Sequence, residues 1–128
     1  MMKILFRGES IYEDDLYIVG NYTNKAKICG VVADGHFIQE DNSMEFFEIK
    51  ENSRSINFED MLDSQGNKIF ASLSESGKGG DILHWHNQTD EPDCNDSTVK
   101  YEYMALRCFN EDLYNLDLDS MIAIGIQK

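Results

Sequence analysis

At 128 residues the chain has the length of one ordinary domain, and 41% hydrophobic with 11% aromatic content excludes a disordered polypeptide. Its 11 lysines and arginines stand against 24 acids, a net charge of -13. A field of that sign repels phosphate and anionic membranes over a Debye length of ~8 Å, which excludes duplex nucleic-acid binding through a broad basic face and leaves room for a basic protein partner.

The chain opens with MMKILFRGES, which turns polar after six residues, so no export signal is expected. No apolar run approaches the ~20 residues that span a bilayer, and no membrane association is expected. Three widely spaced cysteines (Cys29, Cys94, Cys108) suit a reducing cytosol better than a disulfide framework.

Periodicity is mostly two rather than 3.6. Lys3 to Gly8 predicts an opening strand. Leu16 to Tyr22 and Lys27 to Val32 predict a hairpin turning at TNK. Asp34-Gly35 marks a corner, and His36 to Glu40 with Met44 to Lys50 predicts a second hairpin turning at DNS. Asn57 reads as the N-cap of a helix of one or two turns, with Asp60 three residues on and Phe58, Met61 and Leu62 as its apolar side.

Lys68 to Leu73 and Asp81 to His86 predict further strands. Thr98 to Phe109 alternates most clearly, a one-turn helix is expected near Glu111 to Asn115, and Met121 to Ile126 closes the chain as a strand. Many short strands with frequent turns predict a mainly β fold: a small barrel or sandwich of short antiparallel strands with one or two very short helices. One domain over residues 1–128 is expected, its part from 84 to 128 read from strand pattern alone.

Several stretches invite a chemical reading. Gly77-Lys78-Gly79-Gly80 is not a phosphate loop, because its lysine precedes Gly79 and a strand instead of Ser or Thr and a helix; glycines that supply positive φ explain it. Asp63-Ser64-Gln65-Gly66-Asn67 lacks the alternating ligands of a calcium loop and reads as a turn capped by Asp63 with Gly66 left-handed. His84 and His86 share one face of a predicted strand, with Asp90, Glu91, Asp93 and Cys94 following. Zinc accepts such donors, but the spacing fits no standard knuckle. No metal or cofactor is expected; His84, His86 and Asp90 are the weak metal candidates, and they define a metal-dependent hydrolase as the least favoured reading.

No nucleophile elbow is present, and the paired carboxylates read as a solvated face, so no catalytic residue is assigned. The three arginines, Arg7, Arg54 and Arg107, with Trp85, Tyr101 and Tyr103, are the candidate ligand-binding set: cations for a phosphate and rings for a base.

KILFRGE, YIVGNY, FEDMLDSQGNKIF and GGDIL stand in an order that resembles the landmarks of the YopX family of phage and prophage proteins. The matching residues are Lys3, Phe6, Arg7 and Gly8; Gly20, Asn21 and Tyr22; Asp63, Gly66, Asn67, Lys68, Ile69 and Phe70; and Gly80, Asp81, Ile82 and Leu83. The likeness runs from about Lys3 to Leu83 and departs from the family in the longer link ASLSESGKG. It implies a β-rich, self-associating protein with no catalytic residues to carry over, working in the cytoplasm of an infected or lysogenic bacterium. It also implies structural turn roles for Asp63, Gly66, Gly80 and Asp81. The expected function is that of a non-enzymatic accessory protein acting by protein or small-ligand binding as a homo-oligomer. The alternatives are sequestering of a nucleotide signal and acidic DNA mimicry against a host defence factor.

Overall fold

A computed structural model describes residues 4–40, 43–58, 61–85, 96–103, 105–109 and 111–128. The described strands are β1 (Ile4–Glu9), β2 (Tyr17–Ile28), β3 (Val31–Gln39), β4 (Phe47–Glu48), β5 (Ser55–Phe58), β6 (Ala71–Ser72), β7 (Asp81–Trp85), β8 (Asp96–Thr98), β9 (Lys100–Glu102), β10 (Ala105–Cys108), β11 (Glu111–Asp112) and β12 (Met121–Ile126). Single 3₁₀ turns at Glu51–Ser53, Leu113–Asn115 and Leu118–Ser120 are the helical elements among the described residues.

The strands form two sheets. The larger runs β11-β10-β9-β6-β5-β1-β2-β3-β4 and the smaller β12-β7-β8. Pairing is antiparallel except where Ser72 of β6 meets Lys100 of β9. The fold is mainly β and sandwich-like; the barrel alternative is not realised, because the large sheet stays open with β11 and β4 as its edges.

The main core brings Ile56, Ala71, Leu106 and Cys108 of the large sheet together with Leu83 and Met121 of the small one, around Ile69, Val99 and Leu113. Period-two burial makes this possible. In β10, Leu106 and Cys108 turn inward while Ala105 and Arg107 stay at the surface. Each fully buried aliphatic side chain contributes about 1.5–3 kcal/mol. A second cluster, Ile18, Ile38 and Ile49, lies under β2 and β3 with Phe6, Tyr22 and Phe47 against it.

Five expectations need correction. Asn57 caps no helix: it lies in β5, opposite Leu5 of β1, and its buried amide donates to the carbonyls of Met61 at 3.1 Å and Ile69 at 2.7 Å. Asp60 lies outside the described residues. The first hairpin does not turn at TNK. β2 runs through to Ile28, an irregularity between Thr23 and Lys25 absorbs the polar triplet, and the turn falls at Cys29-Gly30. Asp34-Gly35 is consequently inside β3 rather than at a corner.

The alternating run from Thr98 to Phe109 is not one strand. It ends β8, forms β9 and reverses at Tyr103 into β10, so that Leu106 faces Tyr101. Tyr103 adopts φ 52 there, a conformation that glycine or asparagine usually supplies, and no such residue marked the turn. The strand expected from Lys68 to Leu73 shrinks to β6, preceded by a bridge between Leu62 and Lys68. Among the described residues no helix is long and apolar enough to cross a membrane.

Candidate functional site

The three arginines that the sequence groups together are separated by the fold, and each takes its own aromatic partner. Arg7 lies over Phe70 with 4.6 Å to the ring centroid and near Tyr17 at 5.7 Å. Arg54 lies over Tyr22 and Arg107 over Tyr103, both at 5.3 Å. Such contacts contribute about 0.5–1 kcal/mol where exposed and more where dry.

Arg7 is buried and ion-paired. Its Nη2 donates to Asp81 Oδ1 at 2.9 Å and to the Gly79 carbonyl at 2.8 Å, while Asp81 Oδ2 accepts the Phe70 amide at 2.8 Å. Burial pushes the Asp81 carboxyl up, against the pull of Arg7 and of that amide. The pair locks β1 to the start of β7. It consumes a residue assigned to ligand binding and one assigned to a turn, so Arg7 faces no surface where a ligand would meet it.

The turn residues are tied in the same region. Asp63 Oδ1 accepts the amides of Gln65 and Asn67, both at 2.9 Å, and Oδ2 accepts that of Ala123 at 3.0 Å. Gly66 has φ +82, and Gly77 and Gly79 have φ +84 and +85. Gly80 is set by space instead, since a Cβ there would run into the Val99 carbonyl oxygen.

Arg54 closes a surface chain of polar groups. Its Nη1 donates to Tyr22 Oη at 3.3 Å, that hydroxyl meets His36 Nδ1 at 2.5 Å, and His36 Nε2 lies 3.7 Å from Glu51 Oε2. The donors order themselves if the imidazole carries its proton on Nε2. This chain braces β2, β3 and the Glu51–Ser53 turn.

Of the remaining candidates, Trp85 meets Phe109 edge-on at 6.0 Å and Tyr101 tilts against Phe58 at 5.8 Å; both pack on the main core. His84 Nδ1 lies 2.6 Å from Asp96 Oδ1, its neighbour in the β7–β8 register. His86 and Asp90 lie outside the described residues, and among those described no three metal-ligating side chains converge.

Arg107 and Tyr103 therefore remain together at the surface, with a companion that the sequence reading passed over. Lys100 sits directly opposite Arg107 in the β9–β10 register. The two cations line one shallow groove of about 170 Å³ with Ser97, Thr98 and Glu102. The signal was present as a lysine and an arginine seven residues apart, but only a turn at Tyr103 makes them neighbours.

The other exposed feature is the β2–β3 hairpin. Val31 and Val32 are 67% and 65% exposed, and Ile28 and Cys29 share a groove with Met44 and Phe46. No family model, no curated protein and no solved structure matches the chain.

Proposed function

We propose that this protein is a non-enzymatic binding protein that works as an assembly of identical copies joined through the β2–β3 hairpin. The observation that carries the reading is the outer edge of β3. β4 pairs with it only at Phe37 and Ile38, and among the described residues no strand pairs with it from Val31 to Asp34. An open edge with exposed apolar side chains is a template for another strand.

This edge is where charge opposes a second copy least. With a net charge of -13, copies repel over most of their surface. Residues 25–34 hold Lys25 and Lys27 against Asp34 alone, a local balance of two minus one, or +1. Antiparallel pairing of β3 with its symmetry mate covers Val31 and Val32 in a self-complementary interface. The resemblance to the YopX family supports the same reading, that of a phage or prophage accessory protein in the bacterial cytoplasm.

Light scattering on a sizing column tests it. The native chain is expected to elute as a dimer or a multiple of one, and Val32→Lys, which sets like charges across the two-fold axis, as a monomer that still melts cooperatively, its thermal midpoint lowered only by the lost association and independent of concentration. A native chain that stays monomeric at the highest attainable concentration, or an assembly indifferent to Val32→Lys, overturns the reading.

A further inference from the structure

The groove on the β9–β10 hairpin lies at the opposite end of the large sheet from β3 and owes nothing to self-association. Its central feature is an opposed pair of like charges, Lys100 and Arg107. Directly opposed like charges destabilise a strand pair. Asp112, opposite Arg107 in the β10–β11 register, offsets one of the two charges, and Lys100 keeps the other. A cation pair held on one surface is suited to an anion that bridges it.

Both cations are positioned. Arg107 Nη1 donates to Asp112 Oδ1 at 2.6 Å, and the guanidinium lies over the Tyr103 ring, so it is fixed from two sides. The Lys100 side chain makes no hydrogen bond or ion pair among the described residues. Its stem lies against Gly77, where a Cβ would come within 3.1 Å of the lysine Cε. Ser97 Oγ accepts the Phe109 amide at 3.0 Å, which leaves its own proton for an acceptor in the groove.

The groove is also polarised. Glu102, two residues along β9 from Lys100, also lines it, and Tyr103, the next residue, is 86% exposed. A tyrosine held at φ 52 on a turn costs backbone strain that glycine would avoid. That cost is retained at the position where the ring covers Arg107 and keeps its other face in solvent.

We propose that this groove binds a mononucleotide. The phosphate bridges Lys100 and Arg107 and accepts from Ser97 Oγ, the ribose hydroxyls donate to Glu102, and the base stacks on the open face of Tyr103. Glu102 repels a bare phosphate, so affinity requires the sugar and base as well. A polyanion is disfavoured by the net charge, and the groove has cations for a single phosphate group.

Calorimetric titration of the full chain with adenosine monophosphate, adenosine and inorganic phosphate tests the assignment. The nucleotide is expected to bind at least tenfold more tightly than either fragment. Lys100→Gln is expected to weaken nucleotide binding about tenfold and leave adenosine unaffected. Tyr103→Ser is expected to weaken the nucleotide by roughly tenfold, as base stacking does elsewhere, and leave phosphate unaffected. Both side chains lie at the surface, and each variant decides the matter separately. Phosphate bound as tightly as the nucleotide, nucleotide binding unchanged by Lys100→Gln, or no heat with any of the three overturns the proposal.

Discussion

Two buried carboxylates respond to acid in opposite directions. Burial opposes the charge on Asp63, but the amides of Ala123, Asn67 and Gln65 together with the Asn67 side chain outweigh it and hold the carboxyl below its usual range. Its stabilisation is therefore present above the ordinary value of about 3.8 and is lost as pH falls through the lower folded value. Asp81 has the reverse sign. Its carboxyl is raised, so its contribution is full below about 3.8 and declines as pH climbs through the raised folded value. Denaturant melts across acidic pH are expected to lose part of their acid limb in Asp63→Asn, with about 2–3 kcal/mol lost at neutral pH as charge-assisted hydrogen bonds weaken. An acid limb identical to that of the native chain removes Asp63 from this role.

At the scale of elements, the connection from β6 to β7 is held by close backbone approach. Gly79 donates its amide to Gln127 O at 2.8 Å and its carbonyl accepts Arg7, while a Cβ on it would run into the Ser53 carbonyl oxygen. Gly66 has nearly the same φ, but a Cβ there meets nothing within 4 Å. Gly66→Ala is expected to cost about 1–2 kcal/mol of left-handed strain. Gly79→Ala carries the same strain plus the steric conflict, so its loss in chemical denaturation should be clearly larger. Equal losses would mean that the backbone near Ser53 yields freely.

For the whole molecule the strongest electrostatic influence is self-repulsion. A net charge of -13 opposes compaction, and salt screens long-range repulsion more than short buried pairs such as Arg7–Asp81. The thermal midpoint is expected to rise as sodium chloride goes from low to physiological concentration. A falling midpoint would show that exposed pairs, of which Lys50–Asp14 at 2.9 Å is the shortest around Lys50, outweigh the net charge.

The class of fold is legible in the chain alone. Period-two patterning, frequent turn residues and the lack of a long 3.6-residue period leave short strands as the way to bury this apolar content, and Met121 to Ile126 is a strand with those bounds. Local chemistry was legible where neighbours in sequence satisfy it, as at Asp63, whose carboxylate meets amides two and four residues on. The rest was set by packing, because the partners concerned are distant along the chain. Arg7 is taken by Asp81, 74 residues away by their numbering, and so leaves the ligand set. Asn57 finds carbonyls rather than a helix to cap. Lys100 becomes the partner of Arg107 only because Tyr103 accepts a left-handed backbone, a choice that alternation cannot announce, since a strand and a tight hairpin share the same period of two.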